Sequence, residues 1–179
     1  MKYINTCFGR NTLPLIFLAA YNMKITLLVV GKTEDKYLIE GIEKYLNRLK
    51  HYIGFNLIVI PELKNTKNLT EAQQKTMEAT LISKHLSNPD VVILLDEKGK
   101  KHSSVSFANY LNKQMIGSVQ HLVFIIGGPY GFDESIYKRS NSSISLSDMT
   151  FSHQMVRLFF VEQLYRAFSI LKGEPYHHE

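Results

Sequence analysis

Apolar residues in this chain fall into two alternating patterns. The run Lys24–Val30 consists mostly of β-branched residues and leucine and stops at Gly31, which is typical of a buried strand. In the next stretch, Asp35–His51, apolar residues recur at helical spacing and polar residues fill the positions between them. These patterns predict a strand followed by an amphipathic helix.

The same alternation continues along the rest of the chain. The further predicted elements are strand Phe55–Ile60, a helix from Glu71 to about Leu86 with Thr70 as N-cap, strand Val91–Leu95, helix Ser104–Met115, strand His121–Ile126, short helix Asp133–Arg139, short strand Ile144–Leu146 and a last helix from Ser152 to about Lys172. Strands that are apolar on both faces pair in parallel. The sequence therefore predicts an α/β domain with a mostly parallel sheet covered by helices on both faces.

The last predicted helix is apolar around almost its whole circumference, with Met155, Leu158, Phe160 and Leu164 among the residues responsible. One face of a sheet cannot bury all of these side chains. We expect a second subunit to cover the remainder, which predicts a homodimer. The alternative is a central helix inside the core of a single chain.

The length of 179 residues and the apolar content of 45% fit one compact domain. We assign residues 23–179 to that domain, because Met23 directly precedes the first strand and is a natural start. The stretch Leu13–Ala20 loosely imitates a signal peptide, but it is short and Pro14 interrupts it. We expect residues 1–22 to be an N-terminal extension, disordered or the product of a misplaced start codon, rather than an export signal.

Charge and cysteine content narrow the choice of compartment and partner. The formal net charge is +5, with Lys2 and Arg10 contributing two of the positive charges, so the chain permits a nucleic-acid partner without arguing for one. Cys7 is the only cysteine, which excludes an internal disulfide and fits a reducing cytoplasm. No apolar run is long enough for a membrane span. The histidines lack clustered carboxylates, so we predict no metal site.

Three loops follow the carboxyl ends of predicted strands, where open α/β sheets bind ligands: Leu95–Gly99, Gly127–Gly131 and Leu146–Phe151. The glycines of the second loop allow close approach of the backbone to a ligand, although they could also serve only a tight turn. Neither glycine-rich nucleotide motif, G-x-G-x-x-G or the P-loop, is present. A nicotinamide-dependent dehydrogenase and a nucleoside triphosphatase are therefore disfavoured. The third loop could simply cap the last helix, with Phe151 as a hydrophobic staple.

Five segments taken together resemble the ribosomal RNA large subunit methyltransferase H family of the SPOUT class: Met23-Lys24-Ile25, Ile126–Gly131, Leu146–Gln154, Glu162–Ala167 and Gly173–His177. The resemblance implies a trefoil-knotted α/β fold, an exception to the rule that chains do not thread loops. It also implies a homodimer that transfers the methyl group of S-adenosylmethionine to N3 of a pseudouridine in 23S ribosomal RNA, with the ribosome as partner.

Carried over by motif, the resemblance places the cofactor contacts on eight residues: Leu95, Gly127, Leu146, Ser147, Asp148, Met149, Thr150 and Phe151. Candidate catalytic residues are His153, Arg157, Tyr176 and His177, chosen by residue type and place. Arg157 and Arg166 suit phosphate contact, or alternatively pairing with an acid such as Glu162. A tail that reaches across the dimer would bring Tyr176 and His177 into each site.

Alternative functions stay open from the sequence. They are a SPOUT methyltransferase for another RNA such as transfer RNA, a non-catalytic module that binds RNA or the ribosome, and a nucleotide-binding metabolic enzyme. Binding of S-adenosylmethionine would count against the second, and displacement of that cofactor by ATP or NAD would favour the third.

Overall fold

A computed structural model describes residues 23–177, so the proposed extension at residues 1–22 lies outside the described residues. In chain order the elements are β1 (Lys24–Val30), α1 (Lys36–Leu49), β2 (Gly54–Ile60), a 3-10 turn (Thr66–Asn68), α2 (Glu71–Ser83), β3 (Val91–Lys101), α3 (Ser104–Ile116), β4 (His121–Ile126), α4 (Glu134–Arg139), β5 (Ser142–Ser145) and α5 (His153–Lys172). Strands and helices alternate as the hydrophobic pattern predicts.

The five strands form one sheet in the order β2-β1-β4-β3-β5, and all neighbouring strands pair in parallel. Strand β1 lies between β2 and β4, so that Leu27 pairs with Leu57 on one side and Phe124 on the other. The parallel arrangement places the carboxyl ends of β1, β3, β4 and β5 along the same edge of the sheet. Loops that the sequence places far apart meet at this edge.

Helices cover both faces of the sheet because successive side chains of each strand point in opposite directions. Ile25, Leu27 and Val29 pack with α1, α3 and α5, whereas Leu28 and Val30 pack with α2 and α4. Both sets of strand residues are buried. The structure thus confirms the predicted α/β class and its mostly parallel, doubly covered sheet.

The helix boundaries follow from capping residues visible in the sequence. Thr70 accepts a hydrogen bond from the backbone of Gln73, whose side chain accepts one from the backbone of Thr70, which is a complete capping box. Ser152 caps α5 at its start, and Gly173 ends the helix in the left-handed conformation, at φ +67°.

Three elements differ clearly from their predicted boundaries. Helix α2 ends at Ser83 rather than near Leu86, and β5 spans Ser142–Ser145 rather than Ile144–Leu146. Strand β3 extends to Lys101, well past Leu95, because the chain makes an excursion and pairs with β5 a second time, so that Ile144 faces both Leu95 and Lys100. Backbone pairing with a neighbouring strand, not hydrophobic side chains, decides both strand ends.

The last helix is covered largely by its own chain. Every residue of α5 is buried or half-buried, because the helix packs between α1 and α3 as well as on the sheet. Phe160 lies in the interior, with its ring 4.6 Å from that of Phe124. The central-helix alternative therefore accounts for much of the apolar surface that was assigned to a dimer. No helix in residues 23–177 is long and apolar enough to cross a membrane.

Candidate functional site

A cavity of about 510 Å³ opens at the carboxyl edge of the sheet, where β3, β4 and β5 end. Its volume lies within the range of about 300–1,000 Å³ that is usual for small-molecule and cofactor sites. Most of the wall is formed by the three loops predicted from the sequence. The lining residues are Leu95, Asp96, Glu97, Lys98, Ile126, Gly127, Gly128, Pro129, Tyr130, Gly131, Phe132, Tyr137, Ile144, Ser145, Leu146, Ser147, Met149, Thr150, Phe151, Ser152, His153 and Val156.

Of the eight cofactor contacts implied by the resemblance, the structure brings seven into the cavity wall: Leu95, Gly127, Leu146, Ser147, Met149, Thr150 and Phe151. The eighth, Asp148, does not line the cavity. Its side chain is 78% exposed and forms an ion pair with Lys101 at the end of β3. Asp148 therefore lies on the exposed side of the cavity loop, beside the end of β3.

Close packing requires glycine at the second loop. A Cβ atom on Gly127 would lie 3.1 Å from a ring carbon of Phe132 and 3.2 Å from the carbonyl oxygen of Gly131. Gly131 has a φ of +76°, the left-handed region that favours glycine. A Cβ atom on Gly128 would lie 2.6 Å from a carboxylate oxygen of the buried Glu78, which belongs to α2. The loop can therefore approach both a ligand and helix α2.

Asp96 and Tyr137 were not among the predicted site residues, although Asp96 lies inside the first of the three predicted ligand loops. In the cavity wall the Tyr137 hydroxyl donates a hydrogen bond to the Asp96 carboxylate, and the backbone N–H of Lys98 donates another at 2.7 Å. Burial, followed by the hydrogen bond to Asp96, raises the pKa of Tyr137 to about 12. The sequence feature that indicates Asp96 is its place directly after the predicted buried strand Val91–Leu95.

His153 begins helix α5 and lines the cavity. Burial, followed by the charge of Arg157, lowers the pKa of His153 below its ordinary value, and the carboxylates of Glu62, Glu34 and Glu78 oppose the shift. The lowered pKa keeps the imidazole neutral at neutral pH. A neutral imidazole has a nitrogen lone pair that can accept a proton.

Arg157 occupies a position different from the one that the sequence analysis assumed. The residue is only 1% exposed and does not line the cavity. Its guanidinium donates hydrogen bonds to the Val30 carbonyl at 2.7 Å and to the Thr33 hydroxyl at 2.9 Å. Contact with an RNA phosphate would require uncovering the side chain, so Arg157 acts by fixing α5 against the end of β1.

The carboxyl-terminal tail folds back onto α5 and α1 of its own chain. The Tyr176 hydroxyl donates to the Glu162 carboxylate at 3.1 Å and lies 3.1 Å from the hydroxyl of Tyr45. The Arg166 guanidinium stacks 4.7 Å from the Tyr176 ring centroid, donates to Glu162 at 2.5 Å and lies 3.5 Å from Nδ1 of His177. Arg166 thus takes the acid-pairing role that the sequence left open.

Within the chain the tail and the cavity are separate. The tail contacts α5 at Glu162 and Arg166, which lie nine and thirteen residues beyond His153. At a helical rise of about 1.5 Å per residue, these contacts are roughly 14–20 Å from His153 along the helix. The structure does not bring Tyr176 and His177 together with His153 in the same chain.

Comparisons with known proteins agree on one family. A family model described as "Predicted SPOUT methyltransferase" matches residues 23–177. The chain is similar to a ribosomal RNA large subunit methyltransferase H from Parabacteroides distasonis, at 57% identity over 157 residues, which cover 88% of this chain and 100% of that protein. It is similar to the protein of the same name from Christiangramia forsetii, at 59% identity over 156 residues, with coverages of 87% and 99%.

A solved structure extends the comparison to the fold. The chain is similar to a probable methyltransferase from Bordetella pertussis Tohama I, with a TM-score of 0.53 over 87% of this chain and 99% of that one. The sequences are only 8% identical. This likeness supports the fold alone.

Proposed function

Since the chain belongs to the SPOUT methyltransferase family, we propose that it transfers the methyl group of S-adenosylmethionine to N3 of a pseudouridine in 23S ribosomal RNA. Membership of the family makes the protein an enzyme of the transferase class with S-adenosylmethionine as methyl donor. The large-subunit RNA is the substrate in the names of its relatives. The pseudouridine and its N3 atom are part of our proposal.

The observation that carries the proposal is the cavity at the carboxyl edge of the sheet. It combines a backbone brought close by Gly127, apolar walls from Leu95 and Leu146, and polar groups at Asp96 and Ser147. Apolar walls suit a planar adenine, whereas backbone and polar side chains suit a ribose and an amino-acid group. The residues present therefore fit S-adenosylmethionine.

When bound, S-adenosylmethionine supplies an electrophilic methyl group, so the protein needs no nucleophile of its own. What the chain must provide is alignment of the two reactants and removal of the N3 proton of the base. We propose His153 as the group that accepts this proton, because it lines the cavity and its lowered pKa leaves it neutral. Arg157 then acts as a positioning residue that holds the helix carrying His153.

We propose that the enzyme is a homodimer in which the tail of one subunit completes the cavity of the other. The separation between Tyr176 and His153 within one chain supports this arrangement. Apolar surface near the cavity supports it as well, because Met149 at the rim is 73% exposed and Tyr37, beside Met155, is 60% exposed. Tyr176 and His177 would then contribute to the partner's site.

We propose the assembled ribosome, in the cytoplasm, as the natural substrate. A protein that grips free RNA through many phosphates usually carries a larger positive excess than the net +5 of this chain. A composite RNA surface on the ribosome offers shape in addition to charge, and a small protein can use both.

The deciding experiment is transfer of labelled methyl groups to ribosomes that lack this modification, with purified 23S ribosomal RNA and transfer RNA assayed alongside. We expect label at a pseudouridine of ribosomes and little on either free RNA. Label on transfer RNA alone would overturn the substrate assignment. A folded protein that binds S-adenosylhomocysteine but labels none of the three would favour the non-catalytic module.

A further inference from the structure

The cavity contains a carboxylate whose position is fixed by two donors of the protein. Asp96 directly follows Leu95, where the first stretch of pairing between β3 and β5 ends. One of its oxygens accepts from the backbone N–H of Lys98, and the other accepts from the Tyr137 hydroxyl. Lys98 belongs to β3, like Asp96 itself, whereas Tyr137 belongs to α4. The carboxylate is therefore held by two different elements.

Tyr137 is itself fixed by packing. Its ring lies edge-on to that of the buried Phe132, with centroids 5.8 Å apart and an interplanar angle of 81°. Phe132 in turn packs against Gly127. Asp96, Tyr137 and Phe132 therefore form a continuous wall that ends at the glycine loop. The raised pKa of Tyr137 keeps its hydroxyl protonated, which preserves the hydrogen bond to Asp96.

We propose that Asp96 recognises the vicinal hydroxyl groups of the cofactor ribose and that Tyr137 positions it for this role. The inference rests on the proposed function, since it concerns how S-adenosylmethionine is bound. A carboxylate oxygen can accept more than one hydrogen bond, so each oxygen of Asp96 retains capacity after its protein donor is counted. Two neighbouring oxygens with free capacity match two neighbouring hydroxyl donors.

The location of Asp96 favours the ribose over the amino-acid end of the cofactor. Leu95, Ile144 and Leu146 form an apolar section of the wall, which we assign to adenine, and Asp96 directly follows Leu95. The ribose is one bond from adenine, whereas the amino group is several bonds further. A rigid carboxylate next to the base site is therefore placed for the sugar.

The experiment combines variants of the protein with variants of the ligand, and its readout is calorimetric binding rather than methyl transfer. The ligands are 5′-methylthioadenosine, which has the ribose hydroxyls but no amino acid, its 2′,3′-dideoxy analogue, and S-adenosylhomocysteine. The protein variants are Asp96→Asn and Tyr137→Phe. Glu97→Gln is the matched control, because Glu97 lines the same wall and the substitution removes the same charge.

Asp96→Asn should weaken binding of 5′-methylthioadenosine roughly tenfold or more, the usual size for loss of a charged hydrogen bond, and leave the dideoxy analogue nearly unchanged. Tyr137→Phe should have a smaller effect with the same dependence on the hydroxyls. Glu97→Gln should change the binding of 5′-methylthioadenosine and of its dideoxy analogue by the same factor. Circular dichroism and thermal unfolding check that each variant is folded.

Two results would overturn the inference. Equal loss for the ligands with and without hydroxyls would mean that Asp96 does not contact the ribose. Loss for S-adenosylhomocysteine but not for 5′-methylthioadenosine would assign the carboxylate to the amino-acid end instead. If the unaltered protein bound none of the three ligands, the proposed function itself would fail, and this outcome is distinct from the other two.

Discussion

The guanidinium of Arg157 donates a hydrogen bond to the carbonyl oxygen of Val30, the last residue of β1, at 2.7 Å. This contact joins the second turn of α5 to the edge of the sheet that bears the cavity. Burial lowers the pKa of Arg157, and the charge of Glu62 partly opposes the shift. One buried side chain thus connects the core to the orientation of His153.

Replacing Arg157 with Met should lower the free energy of unfolding by about 2–4 kcal/mol, because the Val30 carbonyl and the Thr33 hydroxyl lose their donor. Arg48→Met is the matched control: Arg48 stacks on Tyr45 and Tyr165 near the surface and should cost less than about 1 kcal/mol. Urea unfolding at a fixed protein concentration measures both values. Equal stability of the two variants would contradict the structural role of Arg157.

On the acid limb of the pH profile the activity, measured as kcat/KM, should decline at a pH below the ordinary histidine pKa of about 6.5. The reason is that burial and Arg157 lower the pKa of His153. If His153 accepts the N3 proton, kcat/KM falls as pH drops through this lowered pKa and the imidazole becomes protonated. Glu62→Gln removes a charge that raises the pKa, so it should move the limb to still lower pH. Glu43→Gln, on the exposed face of α1, is the control. A limb that moves upward in Glu62→Gln would refute the assignment.

Gly99→Ala should damage both the fold and the cavity. A Cβ at this position would lie 2.5 Å from backbone atoms of Ile144, closer than real contacts allow, so β3 and β5 would have to separate. We expect a loss of roughly 2 kcal/mol or more in unfolding free energy and weaker binding of S-adenosylhomocysteine. Gly54→Ala, whose Cβ would meet only Lys24 at 3.6 Å, should be tolerated in both assays.

A buried network at the opposite edge of the sheet should affect stability without affecting the cavity. Asp90 is 6% exposed and lies 2.8 Å from Nδ1 of His121, whose other ring nitrogen is 2.8 Å from the Thr26 hydroxyl. Asp90 also accepts from the backbone of Ser87 at 2.7 Å. Asp90→Ala should cost about 1–3 kcal/mol in unfolding free energy, because these donors lose their partner.

Binding of S-adenosylhomocysteine to folded Asp90→Ala should match that of the unaltered protein. A selective loss of binding at full stability would instead place this network in communication with the cavity. Thermal unfolding and calorimetry on the same preparation separate the two cases.

The shared-site arrangement predicts rescue between two inactive variants. Gly127→Val blocks the cavity, because even a Cβ there meets Phe132, and Tyr176→Ala removes the tail contact. When the two variants are unfolded and refolded together, mixed dimers should form. In each mixed dimer, the intact cavity of the Tyr176→Ala chain would lie next to the intact tail of the Gly127→Val chain. Random pairing gives about a quarter of the normal number of sites. No activity above that of the separate variants would mean that tails serve their own subunit.

The hydrophobic pattern predicted the existence and order of every strand and α-helix in residues 23–177, because burial on both faces of strands and on one side of helices leaves a direct trace in the sequence. Gly31, Thr70, Ser152 and Gly173 then fixed the ends of elements through conformation and capping. The carboxyl-edge loops could also be selected in advance, since parallel strands must end together. Most of the cavity wall follows from that rule.

The hydrophobic pattern could not predict the distances between segments that are remote in sequence. His153 and Arg157 are one turn apart on one helix, yet one lines the cavity and the other lies in the core, because α5 enters the interior after its first turn. Asp148 belongs to the cavity loop by sequence, but its side chain is drawn outward to Lys101.

The sequence by itself determined the α/β class, the order of the elements and the edge of the sheet at which the cavity opens, because these depend on local periodicity and on the direction of strands. Only the tertiary structure decided that Tyr137 holds Asp96, that β5 pairs twice with β3, and that the tail lies far from its own cavity. These features depend on which distant residues meet, and hydrogen bonds or backbone contacts between remote segments leave no periodic trace along the chain.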